Sequence, residues 1–151
     1  MFQTKGDPVA VLRVDSDGTV VVHPWPEDER ERWAAVRTAV GGSADAAVYH
    51  RRAQLHVHGN GQAEGLPLNL AAWALASVWR GLDIPYGLYG PVVVTGPQMG
   101  GLDEDLAGAV RAVCAAVAEV RQEWTTRPPV GERQARAEVL AAARHSITAS
   151  A

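Results

Sequence analysis

The chain has 151 residues, 14 basic and 17 acidic, for a formal charge of -3, and 47% of its positions are hydrophobic against 21% charged. That length fits one domain on a scale of roughly 100–200 residues each, and the composition argues against collagen-like, disordered and membrane-embedded classes. Neither sign of charge gathers into a long block, which weighs against a phosphate-tracking surface, because nucleic-acid binders draw most of their affinity from phosphate neutralisation.

The single cysteine, Cys114, can form no internal disulfide and no multi-thiolate zinc site, as expected for a reducing cytosol. The first fourteen residues, MFQTKGDPVAVLRV, lack the apolar region of a signal peptide, and every apolar stretch is far shorter than the roughly 18 residues of a membrane helix. A cytoplasmic protein without membrane attachment is expected. All but one of the basic residues are Arg, a bias that, with abundant Ala, reads as genomic before it reads as functional.

Val9 to Val14 and Thr19 to His23 are β-branched apolar runs around Asp15-Ser16-Asp17-Gly18, whose Asp-Gly suits the left-handed backbone of a hairpin turn. Pro24-Trp25-Pro26 stops the second strand, and Glu27-Asp28-Glu29 places negative charge on the first turn of a helix. The helix is expected to run to about Val40, with Trp33, Val36 and Val40 as its buried stripe, and to stop at Gly41-Gly42-Ser43.

A second hairpin follows, Ala46 to His50 and Gln54 to His58 around Arg51-Arg52-Ala53. Asn69 opens an Ala- and Trp-containing helix to about Arg80, with Leu70, Trp73, Ala74 and Ser77 on one side and Gly81 closing it. The valines of Pro91 to Thr95 predict a strand buried on both faces, central in its sheet. From Asp103 to about Trp124, Leu106, Val110, Val113, Val117, Val120 and Trp124 recur at spacings of four and three, the seam of a packed helix. Arg127-Pro128-Pro129 ends it, and Gly131 to about Ile147 forms a last helix before the tail 148–151 frays. This order predicts an α+β fold, a small, mostly antiparallel sheet of about five strands covered on one face by helices. Residues 1–97 would be a ββαββαβ core and 98–151 two added C-terminal helices on the same core.

Gly65-Leu66-Pro67-Leu68-Asn69, with Val40-Gly41-Gly42 upstream and the run from Gly87 to Gly96 downstream, resembles in order and spacing a family of domains of unknown function from phage, plasmid and actinobacterial genomes. The resemblance covers about Val9 to Pro97 and leaves out the two C-terminal helices. It implies this fold outline and a mobile-element setting. That family carries no assigned catalytic residue, so no mechanism is implied.

His56 and His58 are two apart in an expected strand, so they share a face, and with His50 or His23 they could converge on zinc. No nearby carboxylate or thiolate completes a set, and the pattern equally describes a half-exposed strand. Asn69 stands where a side-chain oxygen caps a helix; alternatively, it and the helix N-terminus would meet a ligand. Trp79, Tyr86 and Tyr89 cluster around Asp83 and several glycines and could wall a ligand pocket or seal a core edge. Cys114 reads as buried. No Gly-x-Ser-x-Gly, phosphate-binding loop or HExxH motif occurs.

The leading expectation is a small non-catalytic binding or regulatory module without a cofactor, acting on a partner protein or a small ligand through Asn69, Trp79, Tyr86 and Tyr89. A homodimer through the C-terminal helices would suit their seam. Two alternatives remain: a metal-assisted hydrolase built on His50, His56 and His58, and a nucleic-acid accessory protein gripping through Arg51 and Arg52 at a hairpin tip.

Overall fold

Leu-Arg-Val and a run of three valines form β1 (Leu12–Val14) and β2 (Val20–Val22), paired antiparallel with Leu12 opposite Val22. The computed structural model describes residues 11–150, so Val9 and Ala10 of the expected first strand lie outside the described residues. The connecting turn needs its glycine: Gly18 sits at φ 93°, and the Asp17 carboxylate accepts the Thr19 N–H at 2.9 Å. Helix α1 (Glu29–Val40) starts where Asp28 accepts the Glu31 N–H and stops where Gly41 turns left-handed at φ 89°.

The second hairpin is β3 (Ala44–His50) and β4 (Ala53–His58), its pairing interrupted by a bulge between Ala47 and His50. Helix α2 (Leu70–Arg80) is capped by Asn69 and closed by Gly81, as the sequence predicts. β5 (Val92–Thr95), a short 3-10 turn (Pro97–Met99), α3 (Glu104–Trp124) and α4 (Glu132–Ser150) complete the chain. The sheet order is β2-β1-β5-β4-β3 with every pairing antiparallel, which is the expected α+β class with β5 at the centre.

Helices cover both faces of that sheet, and not one face as the element order suggested. Successive side chains of a strand point to opposite sides. Leu12, Val14, Leu55, Val92 and Val94 join a core with α2, α3 and α4, whereas Val11 and Val93 pack with Val36, Val40 and Met99 under α1. The all-valine centre of β5 is apolar on both sides, so each side needs a cover; each fully buried Val contributes about 1.5–3 kcal/mol. The expected α1 stripe is corrected at its first member. Trp33 is 38% exposed, with its ring in an edge-to-face arrangement with that of His56, at 6.2 Å and 86°.

α2 is buried all round from Ala71 to Ser77, as befits a helix wedged between a sheet and other helices. The α3 seam from Leu106 to Val120 is buried in the same core as Val139, Leu140 and Ala143 of α4. The seam is therefore engaged inside the chain, and a homodimer through the C-terminal helices would have to use other residues. α4 also extends to Ser150, into the tail expected to fray, and the Thr148 hydroxyl donates to the Arg144 carbonyl at 3.0 Å.

Candidate functional site

The two glycine-rich segments that carried the family resemblance pair with each other. Leu68 and Tyr89 form an isolated antiparallel bridge, the Asn69 N–H donates to the Leu88 carbonyl at 2.7 Å, and the Gly90 N–H donates to the Pro67 carbonyl at 2.8 Å. Beneath this clasp Asn69 is fully buried. Its Oδ1 accepts the Ala72 N–H at 3.0 Å, and its Nδ2 donates to the carbonyls of Val14 and Gly90, both at 2.9 Å. One side chain thus caps α2 and ties it to β1 and to the loop before β5. Both amide N–H groups of Asn69 are thus engaged within the chain, in the capping arrangement that the sequence offers as the alternative to ligand binding.

Above the clasp lies a groove of about 520 Å³. Trp73, 3% exposed and held by its Nε1–H on the Ile84 carbonyl at 3.1 Å, forms the floor. Leu68, Tyr86 and Tyr89 form one wall, and Trp124 from the end of α3 with Glu132, Ala135 and Arg136 from the start of α4 forms the other. Gly87 leaves room there: a Cβ would stand 2.8 Å from both Leu68 Cδ1 and Tyr89 Oη, so a side chain at this position would displace the tips of the Leu68 and Tyr89 side chains. Tyr86 is 51% exposed and its hydroxyl bonds that of Tyr49 at 2.8 Å; burial, and then this bond, raise the Tyr49 pKa above the ordinary tyrosine value.

Trp124 is pinned from outside. Its Nε1–H donates to Glu138 Oε1 at 2.9 Å, and the same carboxylate accepts from Arg127 and Gln134. The Arg127 bonds, then those of Trp124 and Gln134, pull the Glu138 pKa down to about 2.

Of the four residues expected to bind a ligand, the groove therefore takes Tyr86 and Tyr89. Trp79 lies elsewhere, its ring 5.4 Å from that of His50. Trp73, Trp124 and Arg136 were missed. The first two read as members of helical core stripes, and nothing in the local sequence signals that α4 comes back to the loop before β5.

The three histidines do not converge. His50 packs on Trp79 of α2, and its Nδ1 accepts the Arg52 N–H at 3.0 Å. His56 is fully buried on the opposite face, beside Trp33 of α1. The Thr95 hydroxyl donates its one proton to the Gly96 carbonyl, so it accepts from His56 Nε2–H at 2.9 Å, and the buried Nδ1 has no hydrogen-bond partner among the described residues. Desolvation pushes the His56 pKa down to about 4. His58 accepts the Asn60 N–H at Nδ1, and His23 Nδ1 bonds the Pro24 carbonyl. Among the described residues, no group of three or more His, Cys, Asp or Glu side chains is placed to hold a metal ion, and His50 and His56 lie on opposite faces of the sheet.

Cys114 is buried in the main core, where desolvation pushes its thiol up to about 12. Arg51 and Arg52 are exposed at the hairpin tip, with Arg52 paired to Asp103, the cap of α3. A second depression, about 740 Å³ between α1 and the first hairpin, contains Arg13 and Asp15, already bonded to one another at 2.7 Å. Among the described residues no helix is long and apolar enough to cross a membrane. Comparisons of the chain with protein-family models, with curated proteins and with solved structures give no match.

Proposed function

We propose that this protein is a small non-catalytic binding or regulatory module whose ligand lies in the groove between the loop before β5 and the start of α4. The observation that carries this reading is the meeting of Trp73, Tyr86, Tyr89 and Trp124 around one concave space of about 520 Å³. Small-molecule sites run to about 300–1,000 Å³ and are lined mostly by apolar and aromatic groups with a few polar ones. Rings pinned by hydrogen bonds, as Trp73, Tyr86 and Trp124 are, lose little entropy when a planar molecule docks on them.

The burial of the candidate reactive groups supports the non-catalytic part of this reading. His56 and Cys114 are buried with their pKa values driven toward the neutral forms, and Asn69 is fully engaged. A mobile-element setting is part of the same proposal and rests only on the resemblance of residues 9–97 to one family of domains of unknown function from phage, plasmid and actinobacterial genomes.

Titration with naphthylmethanol, a neutral two-ring probe, followed by two-dimensional amide NMR, tests the reading. The amides of Leu68, Gly87, Tyr89 and Ala135 are expected to shift together and saturate. No saturable shift, or shifts scattered over the surface, would refute it.

A further inference from the structure

Arg136 is the charged group of the groove whose donors remain open. Among the described residues its recorded partner is Glu132, at 3.8 Å and so beyond hydrogen-bond reach. The Glu132 side chain is 81% exposed and that of Arg136 40%, so the carboxylate is the more strongly solvated of the two. The neighbouring arginine, Arg127, is instead taken up by Glu123 and Glu138.

We infer that the groove takes a planar apolar molecule carrying a carboxylate, its ring among Trp73, Tyr86, Tyr89 and Trp124 and its carboxylate on the Arg136 guanidinium. This rests on the reading of the groove as a ligand site. A guanidinium presents a flat fork of N–H donors that matches a carboxylate in two parallel bonds. α4 begins at Glu132, one turn before Arg136, so the positive end of its dipole adds to the attraction. A cation would meet Arg136 head-on, and a neutral ligand would leave its donors to water. Glu132 is the more exposed of the two, so water screens its repulsion of the carboxylate more than it screens the attraction of the guanidinium. The groove's volume of about 520 Å³ suits a small molecule rather than a peptide, whose extended backbone needs a longer cleft.

Calorimetric titration with naphthoate, naphthylmethanol and naphthylmethylammonium separates the possibilities. Naphthoate is expected to bind about tenfold more tightly than the alcohol and the ammonium more weakly than either, tenfold being about 1.4 kcal/mol. Arg136→Met keeps the apolar stem and should erase the preference for naphthoate over the alcohol. Glu132→Gln should move the other way and raise naphthoate affinity about twofold. Equal binding of the acid and the alcohol, or a preference that survives Arg136→Met, overturns the carboxylate assignment and leaves the groove standing. Failure of all three probes to bind overturns the groove itself, and the assignment with it.

Discussion

The hydroxyls of Tyr49 and Tyr86 lie 2.8 Å apart, one on a buried strand residue and the other on a residue half exposed in the wall of the groove. The bond fixes the ring of Tyr86 to the edge strand of the sheet, so a side chain in a loop takes its orientation from β3. Tyr86→Phe leaves the buried Tyr49 hydroxyl without its partner and is expected to cost about 1–2 kcal/mol; the double change to Phe should cost less than the sum of the singles. Chemical denaturation of the four proteins gives the coupling. Strict additivity would mean that the pair holds nothing.

Asn69 serves three carbonyl or N–H groups at once, and its amide is expected to matter beyond the cap. Asn69→Ala loses about 1 kcal/mol of capping and strands two buried carbonyls, so the loss should reach about 3 kcal/mol or more. Asn69→Asp keeps the cap acceptor but turns a carboxylate toward the carbonyls of Val14 and Gly90. It should therefore be no better than Ala in urea denaturation, whereas an Asp that restores stability would show that capping is the whole role.

The His56 pKa is lowered in the folded chain to about 4 from 6.5, so the unfolded chain binds the proton more readily. Stability is therefore complete above about pH 6.5 and is lost as pH falls from there toward 4, by about 3 kcal/mol in all for a shift of about 2.5 units. Glu138, with its pKa pulled from 4.5 to about 2, has the opposite chemistry but the same direction, losing its contribution only below about pH 4.5. The two limbs are separable. His56→Leu should flatten the fall in thermal midpoint between pH 6.5 and 4.5, and an unchanged slope there would assign the acid sensitivity elsewhere.

Cys114 lies in the core with its thiol pushed up to about 12, so almost no thiolate exists near neutrality. Its reaction with a disulfide reagent at pH 8 is expected to run at least about a hundredfold slower in the native protein than in denaturant. Prompt labelling of the folded chain would contradict its burial.

Local chemistry made much of this fold legible from the sequence. Asp-Gly at 17–18 bends the first hairpin, Asp28 and Asn69 start helices, Gly41 and Gly81 end them, and the three valines of β5 mark the sheet's centre; in each case the signal lies within a few residues of its effect. Tyr86 and Tyr89 could be picked out because aromatics beside glycines stand out in a loop. Only the tertiary structure decided that α1 covers the second face of the sheet, that His50 and His56 lie on opposite sides of it, and that Trp73, Trp124 and Arg136 meet the tyrosines. Periodicity tells which side of an element is apolar, but the partner of that side is chosen by burying both faces of β5 at once and by folding α4 back on α3. That choice couples residues more than sixty positions apart, and no local pattern encodes it.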